Sequence, residues 1–137
     1  MTKSVSWFVF LSVGIIIGLG AFGHGYEVHQ VHEAIDQFPI KSEIREALYM
    51  IWYFVSGAML TFGMAIVWIA IRLKAGDANG LFASFLIGAL YFIFGVWAYF
   101  YRHGDPFALL FVALGALLVG TSAVLRRRTP LAEGTES

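Results

Sequence analysis

The chain has 137 residues, of which 59% are hydrophobic and 13% charged, and its nine basic and nine acidic residues give a formal net charge of zero. This length allows one domain, and the charged fraction is about half that of an ordinary soluble domain. Cysteine is absent, which excludes disulfides, thiolate metal sites and thiol nucleophiles. So much apolar surface on a short chain needs a bilayer to cover it, and no basic stretch is large enough to indicate a nucleic-acid partner.

Four apolar stretches each approach the roughly 20 residues that a helix needs to cross a bilayer. None of them contains Asp, Glu, Lys, Arg or His, and their uninterrupted apolar character excludes a membrane β-barrel, whose strands alternate. The sequence therefore predicts an all-α integral membrane four-helix bundle. Its spans are expected at about 5–23, 47–71, 81–101 and 106–125, with a loop over 24–46 and a polar tail over 126–137.

The distribution of lysine and arginine predicts the orientation, because basic loops stay cytoplasmic. One side holds both termini and the turn after the second span, and it carries six basic residues: Lys3, Arg72, Lys74, Arg126, Arg127 and Arg128. The other side carries three, Lys41, Arg45 and Arg102. We expect a multi-pass protein of a bacterial inner membrane with both termini in the cytoplasm and the 24–46 loop outside.

Small residues at helical spacing predict close packing between the spans. They occur in all four spans, at Gly14 and Gly18, at Gly57, Thr61 and Gly63, at Gly88 and Gly95, and at Ala116 and Gly120. The same faces favour self-association or another membrane protein as a partner, besides the lipid bilayer.

Small residues at 21–23 also fit an alternative in which the first span is a cleaved signal peptide. Cleavage there would leave His24 with a free amine that could bind copper.

The loop over 24–46 contains the strongest candidate for a functional site in the chain. Residues 25–38 have the pattern of a short amphipathic helix, with an apolar stripe of Val28, Val31 and Ile35. The other face presents histidines and carboxylates, and a further histidine follows the third span. Imidazole and carboxylate are ligands of zinc, copper and iron, so we expect a metal site formed by His24, His29, His32, Glu33 and His103.

The spacing of these residues matches no strong metal motif, and other functions fit the same face. A solvated helix surface, pH sensing or contact with a partner would use the same residues. A haem held between two histidines is a further alternative, although no histidine lies inside a span.

Aromatic residues make up 17% of the chain. Tyr49, Trp52 and Tyr53 share one face of the second span, and together with Trp97 of the third span they are expected to line a pocket. A lipid, a quinone or the edge of a porphyrin would fit such a pocket. A belt of aromatic residues at the membrane surface would use the same side chains.

These patterns indicate three functions. The first is a non-catalytic accessory or scaffold subunit whose outer loop binds a partner or a metal ion. The second is a metal-dependent membrane enzyme or a carrier of metal or haem, and the third is a transporter or binder of a lipophilic small molecule. Whether the protein is an enzyme stays open, with a non-catalytic role favoured. A serine hydrolase is not expected, because no Gly-x-Ser-x-Gly motif occurs, and uncharged spans argue against an ion pump.

Overall fold

The structure is a computed structural model that describes residues 3–128, and this part of the chain is helical without any strand. Its helices are α1 (Lys3–Tyr26), α2 (Val28–Asp36), α3 (Ser42–Lys74), α4 (Leu81–Tyr101) and α5 (Ala108–Arg128). Four of them are long and apolar enough to cross a membrane, which confirms the all-α four-helix fold. Most of the expected polar tail, residues 129–137, lies outside the described residues.

The helices α1 and α3 continue beyond the apolar stretches that define their spans. α3 begins at Ser42, ahead of the charged residues Glu43, Arg45 and Glu46, because these residues are compatible with helix but not with hydrocarbon. α1 likewise continues to Tyr26, and hydrogen bonds from Glu27 N to Gly23 O and from Val31 N to Glu27 O join it to α2. Hydropathy therefore locates the hydrocarbon region rather than the helix ends.

The bundle consists of two helix pairs. α1 packs along α3 to form the first pair, and α4 packs along α5 to form the second pair, whereas contacts between the pairs are few. We call the end formed by residues 24–46 and 102–107 the histidine end. The opposite end, formed by the 75–80 turn and the two ends of the described chain, is the terminal end.

Glycine brings the helices of each pair into backbone contact. A Cβ atom on Gly63 of α3 would lie 2.6 Å from the backbone nitrogen of Gly18 on α1. A Cβ atom on Gly115 of α5 would lie 2.6 Å from the carbonyl oxygen of Gly88 on α4. Only glycine permits these approaches, because any larger residue would place a Cβ atom in the neighbouring backbone. Helices in lipid are held together by the dispersion contacts that such close packing provides, since the hydrophobic effect does not act between them.

The expectation that Ala116 and Gly120 pack against another helix of the chain is wrong. Both are exposed, and a Cβ atom on Gly120 would meet nothing within 4 Å. The contact with α4 uses Gly115 instead, one residue earlier. One residue turns a helix by about 100°, and a span that is apolar on all sides gives no sign of which side faces its partner.

The buried core fills the half of the bundle nearer the terminal end. It contains Phe10 and Ile17 of α1, Ile66 of α3 and Leu118 of α5, all at most 1% exposed. The buried serines inside it are hydrogen-bonded. Ser84 Oγ donates to the carbonyl oxygen of Leu81 at 3.0 Å and lies 2.8 Å from Ser122 Oγ, so the buried hydroxyls carry little desolvation cost. The two pairs meet through this core.

Candidate binding cleft at the histidine end

Beyond the core, the two helix pairs border a half-open cleft of about 700 Å³ that reaches the histidine end. One wall is a stripe of α3 that includes Trp52, Val55, Met59 and Phe62, and the other wall comes from α4 and the start of α5. The α3 residues recur at helical spacing, so one face of that helix forms its wall. The volume is within the range of small-molecule sites, about 300–1,000 Å³.

The wall opposite α3 is a connected set of aromatic rings. Phe94 and Phe111 meet edge to face with centroids 5.5 Å apart, and Tyr91 stacks on Phe111 at 5.8 Å. Nearer the histidine end, Trp97 and Tyr101 stack at 5.0 Å with ring planes 17° apart. Such packed rings form a stiff surface. The hydroxyl of Tyr91 is buried and has no hydrogen-bond partner within residues 3–128.

Two of the four residues expected in an aromatic pocket line this cleft, namely Trp52 and Trp97. The other two lie elsewhere. Tyr53 is 54% exposed on the outside of α3, and the Tyr49 hydroxyl donates to Asp36 Oδ1 at 2.9 Å. Tyr49 therefore packs under α2, because its phenol finds a charged acceptor there.

The mouth of the cleft carries its three charged residues, Glu27, Arg102 and Asp105, together with His24. Arg102 Nη2 and Asp105 Oδ2 form an ion pair at 3.0 Å. The other carboxylate oxygen of Asp105 accepts a hydrogen bond from the backbone N–H of Phe107 at 2.9 Å. Asp105 is thus fully engaged, as an ion-pair partner and as a cap for the chain entering α5.

His24 is fixed in place by Trp52 and Ser56 of α3. Its ring stacks on the Trp52 indole with centroids 4.1 Å apart, and the indole N–H donates to the His24 carbonyl oxygen at 2.7 Å. Its Nδ1 lies 2.8 Å from Ser56 Oγ, which donates its own proton to the Trp52 carbonyl oxygen at 3.1 Å. Because serine has one proton to give, Nδ1–H must be the donor to Ser56. The neutral imidazole then keeps Nε2 as an acceptor.

The short helix α2 is held against α3 by a second polar cluster. Asp36 accepts the Tyr49 hydrogen bond and lies 3.3 Å from Arg45 Nη1. The His32 ring packs on Tyr49 with centroids 3.8 Å apart. Within the described residues, His32 Nε2 and Arg45 Nε are buried without a hydrogen-bond partner. These contacts give His32 and Asp36 a structural role in seating α2.

The five expected metal ligands share the histidine end but occupy separate positions there. His24 is bound to Ser56 and His32 lies against Tyr49, whereas His29 and Glu33 are exposed on α2 and His103 is exposed in the 102–107 turn. Among residues 3–128, no three His, Asp or Glu side chains converge as a metal ion would require. The separation has a physical cause: within residues 3–128, α2 contacts α1 and α3, whereas His103 follows α4.

Sequence reasoning missed most of the residues that shape the cleft. Glu27 and Arg102 border the expected spans, but only the packing of the two helix pairs brings them to one mouth. No sequence pattern indicates Phe94 and Phe111, because phenylalanine in a span faces lipid as readily as it lines a cleft.

The chain matches no known protein-family model, and neither curated proteins nor solved structures include a significantly similar chain.

Proposed function

We propose that this small polytopic membrane protein binds a lipophilic small molecule in the cleft between its two helix pairs. The supporting observation is the combination of an apolar, largely aromatic cleft of about 700 Å³ with a mouth that carries three charged residues and His24. Small-molecule sites typically pair an apolar wall with a few polar groups that fix orientation. The ligand is therefore an amphiphile whose polar end lies at the mouth.

The packing of the bundle supports this function over a purely structural role. The glycine contacts hold each pair tightly together, while the two pairs stay apart at the histidine end. A bundle selected only for compact packing would close this space, because unfilled volume forfeits dispersion contacts.

Native mass spectrometry in mild detergent tests the proposal, by detecting a lipophilic molecule that stays bound. Ala58→Trp introduces an indole into the cleft wall and should release the ligand. Ala113→Trp adds the same side chain on the exposed face of α5 and should retain it. A wild type without bound ligand, or equal retention by both variants, contradicts the proposal.

The same preparation distinguishes the other two functions. A co-purifying membrane protein released by Ala58→Trp would favour the accessory-subunit function, with a helix of the partner in the cleft. A stoichiometric transition metal that is lost on replacing His29 and His32 by Ala would favour the metal-dependent alternative.

We also propose that the mouth opens on the extracytoplasmic side of a bacterial inner membrane. Six basic residues at the terminal end against three at the histidine end support this orientation. The cleft then receives its ligand from outside or from the outer leaflet.

A further inference from the structure

The mouth of the cleft carries one unbalanced charge. Arg102 and Asp105 neutralise each other at 3.0 Å, and Asp105 also caps the chain at Phe107. Glu27 is the remaining charged residue of the lining. Its carboxylate is exposed and forms no ion pair within the described part of the chain. The mouth therefore has a net negative charge when His24 is neutral.

His24 adds an acceptor rather than a positive charge. Free imidazole titrates near pH 6.5, so at pH 8 the ring is neutral with its proton on Nδ1, facing Ser56. Within the described part of the chain, Glu27 and His24 Nε2 are left without a hydrogen bond, and both are acceptors at this pH. A ligand head that donates hydrogen bonds or carries positive charge complements them, and an anionic head would meet repulsion.

The aromatic wall favours the same sign of charge. Nine of the nineteen lining residues are Phe, Tyr or Trp, and the faces of such rings attract cations through their quadrupole. Trp97 and Tyr101 lie at the level of the mouth, where the head of a ligand would reach them.

We propose that the cleft selects lipophilic cations, with Glu27 as the counter-charge and the aromatic wall as the surface that the apolar part covers. This inference rests on the proposed function and names the ligand class. Phosphonium, quaternary ammonium and aromatic amine head groups all belong to that class.

The matched probes for this proposal are tetraphenylphosphonium and tetraphenylborate, which have nearly the same size and shape but opposite charge. Equilibrium dialysis with the detergent-solubilised full-length protein at pH 8 and low ionic strength gives both affinities. We expect the wild type to bind the phosphonium about tenfold or more tightly than the borate. High salt should reduce the difference, because the mouth is open to solvent.

Variants assign the preference to Glu27. Glu27→Gln should weaken phosphonium binding by about tenfold without weakening borate binding. Glu33→Gln removes the same charge from the exposed face of α2, outside the cleft lining, and should leave both affinities unchanged. Arg102→Gln removes the cation of the mouth and should tighten phosphonium binding, an effect that loss of folding would not produce.

The outcomes separate this inference from the proposed function. Equal affinities for the two probes, or tighter borate binding, overturn the selection of cations while the cleft remains a lipophilic site. Equal effects of Glu27→Gln and Glu33→Gln overturn the role of Glu27. Failure of the wild type to bind either probe overturns this inference, whereas native mass spectrometry of the retained ligand decides the proposed function separately.

Discussion

His103 adopts a backbone conformation that residues with a Cβ atom rarely take. Its φ is +54°, and it lies two residues after the last residue of α4. His103 N–H donates to Phe100 O and Gly104 N–H to Tyr99 O, which is the hydrogen-bond pattern of a Schellman helix end. The end of α3 repeats the pattern with Gly76 at the matching position, at φ +91°. At α4 the fold thus tolerates a side chain where glycine is the usual residue.

Replacing His103 by glycine should stabilise the protein by about 1 kcal/mol, because the left-handed conformation costs a non-glycine residue that much. Thermal unfolding in detergent measures the gain as a higher Tm. His103→Ala keeps the Cβ atom and should give no gain. Gly76→Ala, the reverse change at the matching position of α3, should lower the Tm. Equal Tm values for the wild type and His103→Gly would count against strain at this turn.

Asp77 organises the turn between α3 and α4. Its Oδ1 accepts the backbone N–H of Asn79 at 2.7 Å, and its other oxygen pairs with Arg72. These two hydrogen bonds, with that of Asn79 the larger cause, hold the pKa of the carboxyl below its ordinary 3.8. A lowered pKa in the folded state means that Asp77 stabilises the turn above pH 3.8 and that this contribution disappears as the pH falls through the lowered value.

Asp77→Asn should therefore lower the Tm at pH 7, where the wild-type carboxylate is charged and doubly bound. The Tm difference between the variant and the wild type should shrink as the pH is taken below 3.8, because the wild type then loses the same charge. Thermal unfolding at a series of pH values measures it. A difference that stays constant from neutral to acid pH would show that charge on Asp77 is not what stabilises the turn.

Between elements, the positions of glycine decide which helices pair. Gly115 allows α5 to approach α4 until a Cβ atom would collide with the backbone N of Phe92. Gly120 is only five residues away on the same helix, but it has open space around it. Two glycines in one helix thus have opposite roles, one in the contact with α4 and one at the lipid-facing surface.

Gly115→Ala should destabilise the bundle by about 2 kcal/mol, because overpacking forces two backbones apart. Gly120→Ala should be neutral or stabilising by up to about 1 kcal/mol, since alanine is the better helix former. Unfolding in increasing fractions of a denaturing detergent compares the two. A similar loss in both variants would mean that glycine matters to α5 itself rather than to its contact with α4.

The whole molecule consists of two tightly packed helix pairs that meet through a core near the terminal end. The core residues Phe10, Ile66 and Leu118 join the pairs toward the terminal end, whereas the histidine end holds the cleft. A ligand that binds only the folded protein raises its stability in proportion to the logarithm of ligand concentration. Occupation of the cleft should accordingly stabilise the contact between the pairs more than the contacts within them.

The proposed orientation predicts which ends of the molecule face outward. The chain lacks cysteine, so single replacements give unambiguous labelling. In intact bacterial cells, a membrane-impermeant thiol reagent should label Gln37→Cys and His103→Cys at the histidine end. Asn79→Cys in the 75–80 turn should react only after the membrane is permeabilised. The reverse pattern would refute the orientation, and opposite results for Gln37→Cys and His103→Cys would refute an even number of crossings between them.

The fold class followed from the sequence because burial in lipid requires long apolar segments whose backbone hydrogen bonds are made within one helix. The amphipathic helix α2 could also be predicted from the sequence, because it borders water. Its apolar residue Val28 is buried and its polar residue Glu33 is exposed. The candidate site was recovered only in part. Trp52 and Trp97 were expected in a pocket, but Glu27, Arg102 and Phe111 received no role in it.

By itself, the sequence determined that this is a four-helix membrane protein and that its histidines gather at one end. Both depend on hydropathy along the chain, which acts residue by residue. Only the tertiary structure decided that α1 pairs with α3 and α4 with α5, that Gly115 rather than Ala116 forms the contact, and that a cleft remains between the pairs. A helix that is apolar on every side can turn any face toward a neighbour, so its orientation is fixed by backbone approach and shape, which no pattern of polarity records.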